Sequence, residues 1–224
     1  VLPKTQNKLR VLIQSLDDEP QATDSNPNAV KTENFQTVGQ EKKKDFFAGL
    51  GLRGVQTKEW TFNTDAGIKL VWPPDPFARA RLRRSFFMGP VELRLTESIN
   101  WFESQGWWQV ASVELDRPLP PKHLLRWGNS GIRRDEIGYW EFSHYLAWYH
   151  QSSPKDALSY SIGISSVEDP AWALQNYYVS IGYRRHIFDK WMFLDLGPTG
   201  SWPRSEHFTF TPSFLIKLEV LFGS

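Results

Sequence analysis

Three arginines at alternate positions are the residues most able to bind a charged ligand. Arg79, Arg81 and Arg83 alternate with small or apolar residues at positions 78, 80 and 82. Side chains two residues apart share one face of a β-strand, whereas a helix does not place them together. Guanidinium groups bind phosphate or carboxylate through paired hydrogen bonds, and a basic lining favours anions over cations. The spacing therefore predicts an anion-binding surface along one strand.

Charged residues elsewhere in the chain have the same alternating phase and are expected to point to the same interior. The predicted inward cations are Arg53, Arg94, Arg126, Arg184 and Lys217, and the predicted inward acids are Glu92, Glu114, Glu141 and Glu219. Two interpretations of this set stay open. The arginines line a narrow anion-binding or conducting lumen, or they pair with the glutamates and fill a closed one.

A second candidate for chemistry is the sequence His150-Gln-Ser152. A histidine close to a serine acts as general base for a serine nucleophile when the two side chains meet. Asp156 is near these residues only in sequence, and the partner that would orient the histidine is not evident. The pair is therefore kept as the basis of an alternative, hydrolytic function.

Composition excludes several other classes of function. The chain has no cysteine, and lysine plus arginine (26) nearly balance aspartate plus glutamate (25). The absence of cysteine rules out disulfide scaffolds and thiolate metal sites. No nucleotide-binding motif or metal-ligand spacing is present, so we expect no cofactor and no metal. The near-zero net charge argues against a nucleic-acid partner.

The elements that must position these residues are long β-strands. Phe214, Ile216 and Leu218 alternate with more polar residues near the C-terminus, and similar alternation recurs through the chain. Turn signals, including Gly128-Asn-Ser-Gly131 and Gly197-Pro-Thr-Gly200, separate the runs. Strands of about 9–11 tilted residues cross a bilayer. The 11 tryptophans of a chain with mean hydropathy −0.46 suit a transmembrane β-barrel with a polar interior.

Strand parity predicts the number of strands. With both termini on the periplasmic side, residues 1–224 form one antiparallel, closed barrel domain of 12 strands, with a long polar outside loop at about 17–44. Lys8–Leu16 supplies the first strand, while Gly67–Trp72 and His123–Gly128 are among the others. If Lys8–Leu16 is instead a short amphipathic helix, the barrel has 10 strands.

The chain end from Phe214 to Phe222 resembles the C-terminal assembly signal of Gram-negative outer-membrane β-barrel proteins. This resemblance implies location in the bacterial outer membrane, contact with its lipids and lipopolysaccharide, and recognition by the barrel-assembly machinery. The stretch from Trp191 through Trp202-Pro-Arg to Gly223 is similar to one in uncharacterised proteobacterial outer-membrane proteins. His150 and Ser152 resemble the His-x-Ser pair of outer-membrane phospholipase A, which would make them base and nucleophile.

Three functions follow as hypotheses. The first is a narrow, porin-like pore or transporter with an arginine-lined lumen that prefers a small anionic solute. The second is a hydrolase of outer-membrane lipids that uses His150 and Ser152. The third is a structural or partner-binding barrel with a closed lumen.

Overall fold

The structure, a computed structural model, describes residues 9–16, 45–188 and 192–220, with side chains for residues 48–187 and 192–218. The predicted loop at 17–44, and Leu221 and Phe222 of the predicted assembly signal, lie outside these residues. The strands are β1 (Leu9–Leu16), β2 (Asp45–Gln56), β3 (Trp60–Lys69), β4 (Asp75–Met88), β5 (Val91–Phe102), β6 (Gly106–Leu119), β7 (His123–Arg134), β8 (Trp140–Gln151), β9 (Asp156–Glu168), β10 (Trp172–Phe188), β11 (Met192–Pro203) and β12 (Thr211–Val220).

The strands form one sheet in which neighbours in sequence are neighbours in space, in the order β1 to β12. The pairs are antiparallel, with Leu82 opposite Glu97 and Arg94 opposite Glu114. The predicted all-β, antiparallel fold is therefore confirmed. Within the described ranges, helix is limited to a short 3-10 turn at Arg204–Glu206, and no helix there is long and apolar enough to cross a membrane.

The connections differ between the two ends of the sheet. Residues 57–59, 89–90, 120–122 and 152–155 make short turns at one end, which we call the turn end. Residues 17–44 connect β1 to β2 at the opposite end, which we call the loop end. This division follows from antiparallel pairing of consecutive strands.

Burial alternates along the strands and defines two faces of the sheet. In β5, Arg94 and Asn100 are buried, whereas Leu95 and Ile99 are exposed. We call the side of Arg94 the inner face and the side of Leu95 the outer face. Because side chains alternate with period two, one strand places charged groups inward and apolar groups outward.

Two predicted features at the start of the chain need correction. Leu9–Leu16 pairs with β2 as a strand, so the amphipathic-helix alternative and the 10-strand count based on it are wrong. The third strand spans Trp60–Lys69 and not Gly67–Trp72. Pro73 and Pro74 follow Trp72, and proline lacks the backbone donor that a strand ladder needs.

Two predicted turns are strand interior. β7 continues through Gly128-Asn-Ser-Gly131, and β11 continues through Gly197-Pro-Thr-Gly200. A Cβ atom on Gly128 would collide with the ring of Tyr145, and one on Gly200 would lie 2.6 Å from a ring carbon of Phe210. These two glycines leave room for an aromatic ring to cover the strand, a role that glycine has in curved sheets.

Candidate functional site

The inner face is lined by polar groups, many of them buried. Hydroxyl and amide side chains form a band across it, with Asn100 at 2% exposure and Ser180 at 3%. The hydroxyls of Ser161 and Ser180 are 2.6 Å apart on adjacent strands. Members of this band that are nine-tenths or more buried are Thr96, Ser98, Asn100, Ser143, Ser180, Thr199 and Ser201. Such groups both donate and accept hydrogen bonds, so the face can take the place of water around a polar solute.

A buried group of opposite charges lies on β5, β6 and β7. Arg94 Nη2 donates to Asp116 Oδ2 at 2.8 Å, and Arg94 Nη1 donates to Glu114 Oε2 at 3.0 Å. Arg126 Nε and Nη2 donate to the two Asp116 oxygens at 2.6 and 2.7 Å. We call Arg94, Glu114, Asp116 and Arg126 the charge cluster. Its two cations and two anions compensate one another, as charges buried away from water require.

Neighbouring side chains complete the charge cluster. The Tyr145 hydroxyl donates to Glu114 Oε1 at 2.9 Å. Glu92 contacts Arg94 at 3.4 Å and accepts a hydrogen bond from the Ser85 hydroxyl at 2.8 Å. The predicted inward positions of Arg94, Arg126 and Glu92 thus coincide in one network that spans β4 to β8.

The predicted arginine row, Arg79, Arg81 and Arg83, lies on the inner face of β4. Arg79 Nη2 donates to Asp65 Oδ2 of β3 at 2.8 Å. Uncharged residues flank the other two arginines in the sheet: Arg81 has Asn63 and Ser98 opposite it, and Arg83 has Thr61 and Thr96 opposite it. Both arginines make further interactions, and with Arg79 they place three guanidinium groups at successive inward positions of β4.

Arg184, Lys217 and Glu141 lie on the inner face away from the row. Arg184 Nη1 donates to Asp195 Oδ2 at 3.2 Å and lies over the ring of Phe193. Lys217 is opposite Asp195 in the register. Glu141 pairs with Arg134 near the loop end. Glu219 is opposite Phe193 in the ladder, but its side chain lies outside the described part of the chain.

Sequence reasoning missed three acids that partner these arginines. Asp65 precedes the predicted third strand at Gly67–Trp72, Asp116 begins a proline-rich segment, and Asp195 is not among the predicted inward acids. The signal for Asp195 was available, because it keeps the inward parity of residues 193 and 197. Asp116 was hidden by the prolines that follow at 118, 120 and 121, since β6 continues to Leu119 in spite of Pro118.

The predicted pair of His150 and Ser152 is not formed. His150 Nδ1 is 3.1 Å from His123 Nδ1, and the two rings stack with centroids 4.4 Å apart. The Ser152 hydroxyl instead donates to the backbone carbonyl of Asp156 at 3.3 Å. General-base catalysis requires a hydrogen bond between base and nucleophile, and the two residues are engaged separately. Among the described residues, no group of three or more His, Asp or Glu side chains could hold a metal ion.

Aromatic side chains gather on the outer face near both ends of the sheet. At the turn end, Trp148 stacks on His123 and on Tyr160, with ring centroids 5.3 and 5.5 Å apart. At the loop end, Tyr177 stacks on Trp202 at 4.9 Å. Between them the outer face carries exposed aliphatic residues such as Ile162, at 55% exposure. Two aromatic bands around an apolar one are typical of a sheet whose outer face crosses a membrane.

The fold is found in a solved porin. The structure described as NanC porin aligns with a TM-score of 0.50 at 7% identity, and the alignment covers 80% of this chain and 94% of that chain. A structure from work on the in-meso crystallisation of membrane proteins aligns more loosely, with a TM-score of 0.48 at 10% identity, over 80% of this chain and 78% of that one. No family model and no curated protein sequence matches the chain. The chain therefore has a porin-like fold.

Proposed function

We propose that the chain is an outer-membrane β-barrel channel in which β12 closes on β1. Burial of the polar inner face supports closure, because Asp116 is 7% exposed and Asn100 2%, whereas one face of an open sheet would be wet. The aliphatic outer face and its two aromatic bands support a position in lipid. The turn end then faces the periplasm, and the connection at 17–44 lies outside. The similarity of the sequence from Trp191 to Gly223 to uncharacterised proteobacterial outer-membrane proteins stays a prediction.

Assembly and lipid contact belong to this proposal too. Phe214, Ile216 and Leu218 are exposed on the outer face of β12, where they would contact lipid or lipopolysaccharide tails. The same alternating residues supply the pattern through which the barrel-assembly machinery would bind Phe214–Phe222.

We propose further that the interior favours small anions. The observation that carries this is the arrangement of Arg79, Arg81 and Arg83 at three successive inward positions of β4. In the charge cluster, each arginine contacts carboxylates at 2.6–3.0 Å. Three guanidinium groups side by side on one inner strand lower the energy of an anion in the lumen and raise that of a cation. The proposed solute-binding residues are Arg79, Arg81, Arg83, Arg94, Arg126, Arg184, Glu92, Glu141, Lys217 and Glu219.

The experiment is a reversal-potential measurement in planar bilayers under a salt gradient. We expect wild type to prefer the anion, and the double variant Arg81→Glu plus Arg83→Glu to lose or reverse that preference. Each substitution changes the charge by two units, and a unit charge at ~8 Å in water contributes about 0.5 kcal/mol before screening. The double variant changes the charge by four units, and anion and cation energies move in opposite directions, so the unscreened shift is about 4 kcal/mol. Screening with a Debye length of ~10 Å roughly halves it, so the permeability ratio should shift by about 30-fold.

Arg84→Glu is the matched control, because it makes the same charge change on the outer face of the same strand. Arg84 lies near the turn end, where its guanidinium stacks on Trp60 at 4.6 Å and Phe86 at 4.3 Å. A change in charge near the membrane interface costs only about 0–1 kcal/mol, so this variant should fold and keep the wild-type selectivity. An equal shift in both variants would contradict a selective role for the row.

One observation favours a second function, a structural or partner-binding barrel with a closed interior. The charge cluster, with Tyr145 against it, places large side chains from β5 to β8 across the inner face, and its Arg94, Asp116 and Arg126 are 7–8% exposed. A wild-type protein that inserts and folds but passes no current would support this function over the channel.

A further inference from the structure

Four polar side chains interrupt the apolar outer face in the central part of β5 to β8, and Arg133, opposite Gln109 in the ladder, is a further polar residue towards the loop end. Gln109 Nε2 donates to Glu97 Oε1 at 3.1 Å, and His144 Nδ1 contacts Asn129 Oδ1. All four project outward by strand parity, opposite in phase to the buried Arg94 and Tyr145. We call Glu97, Gln109, Asn129 and His144 the polar patch.

The outer face elsewhere is built differently. On β9 and β10 the corresponding central positions hold Ile162, Ile164, Val179 and Ile181, which are 42–55% exposed. A carboxylate or an imidazole in hydrocarbon is unfavourable unless a partner compensates it. If the outer face contacts lipid, as the proposed function requires, the polar patch is best explained by contact with protein.

We propose that a second copy of this chain covers the polar patch in a two-fold symmetric dimer. Glu97 is four residues from Trp101 on β5, and His144 is four residues from Trp140 on β8. Both side chains therefore lie about 13 Å along the strand from the loop-end tryptophan of their own strand. Glu97 and His144 therefore lie at a similar depth in the membrane. Their strands, β5 and β8, are separated by β6 and β7.

This arrangement is self-complementary. A two-fold axis normal to the membrane that passes between β6 and β7 brings Glu97 of each copy against His144 of the other, as an isologous interface requires. The pair joins a carboxylate to an imidazole, so a hydrogen bond can form between the two copies on each side of the axis. Ala111, between the two on β6, is small and exposed, so it lets the surfaces approach closely near the axis.

Cysteine cross-linking in membranes tests this geometry, because the chain has no cysteine of its own. Copies carrying Glu97→Cys and copies carrying His144→Cys are expressed together and oxidised. We expect disulfide-linked mixed dimers, and little linkage when Glu97→Cys copies are expressed alone. Ile164→Cys with Ile216→Cys is the matched control, since those residues are also three strands apart on the outer face, and it should not cross-link.

Linkage of Glu97→Cys to itself, linkage of the control pair, or linkage to a different protein would overturn the proposal, as would no linkage at all. A second measurement, on variants without cysteine, is self-association in detergent. Glu97→Leu should associate about tenfold more weakly than wild type, with the fold kept, and no change would also overturn the proposal. If the protein folds and inserts into the membrane but does not dimerise, only the dimer inference is contradicted. If the protein does not reach the membrane, the proposed function, on which the dimer inference rests, is contradicted.

Discussion

Arg81 and Arg94 lie on neighbouring strands and face the same interior, but their surroundings differ. Arg94 contacts Glu114 and Asp116, and Asp116 also holds Arg126. Arg81 is flanked across the sheet by Asn63 and Ser98. In the charge cluster carboxylates compensate each guanidinium, so loss of one carboxylate should leave buried charge uncompensated. Under the proposed function, the arginine row instead sets the potential of the interior.

The largest effect should come from the shared acid of the charge cluster. Asp116→Asn removes the carboxylate that both Arg94 and Arg126 contact, and leaves two buried cations undercompensated. Loss of one partner from a buried charge network costs about 3–5 kcal/mol. Urea unfolding in lipid vesicles should show this loss in the free energy of unfolding. Glu103→Ala, an exposed acid in the loop-end connection, is the control and should change stability by less than about 0.5 kcal/mol.

Arg79 shares features with both the arginine row and the charge cluster. It belongs to the row on β4, but it also contacts a carboxylate, that of Asp65, at 2.8 Å. Arg79→Gln leaves a carboxylate that is 5% exposed with one charged partner fewer. Asp65 makes other interactions as well, so we expect a loss of about 1–3 kcal/mol. The same unfolding measurement checks it, and a loss as large as that of Asp116→Asn would erase the distinction between row and cluster.

Arg81→Gln should cost less stability than Asp116→Asn, because it does not remove an acid shared by two buried cations. Its effect should appear in conduction as a weaker preference for anions. Unfolding and bilayer current measured on the same preparation separate the two effects. A large stability loss with unchanged selectivity would assign Arg81 to the structural group.

The smallest effect is expected on the outer face. Arg84→Gln removes the cation that stacks on Trp60 and Phe86, a contact of about 0.5–1 kcal/mol at an exposed site. Selectivity should stay at the wild-type value, as measured by reversal potential. A selectivity change here would mean that charge near the turn end acts on ions without facing the lumen.

The alternation of polar and apolar residues in the sequence predicted which arginines face the interior. Parity alone placed Arg79, Arg81, Arg83 and Arg94 on the inner face, because a one-residue shift would move all of them into the apolar environment. Parity could not choose their partners. Pairing of Arg94 with Asp116 depends on the register between β5 and β6, which is set by the connection at 103–105 and by how far β6 extends.

Strand ends were harder to predict for a related reason. Gly128 and Gly131 suggest a turn by residue type, but β7 continues through them. At Gly128 the cause is the ring of Tyr145 on β8, which occupies the space of a side chain. That contact joins residues on two different strands, so no local sequence pattern predicts it.

The most direct test of the central claim changes the charge at one position of the row in a single protein. Arg81→Cys is modified in planar bilayers with a thiosulfonate reagent that attaches either an ammonium or a sulfonate group. We expect anion preference with the ammonium and its loss or reversal with the sulfonate, while Leu82→Cys, on the outer face, should give the same current with either reagent. Identical currents for both modifications at Arg81→Cys, in a channel shown to have reacted, would contradict the central claim.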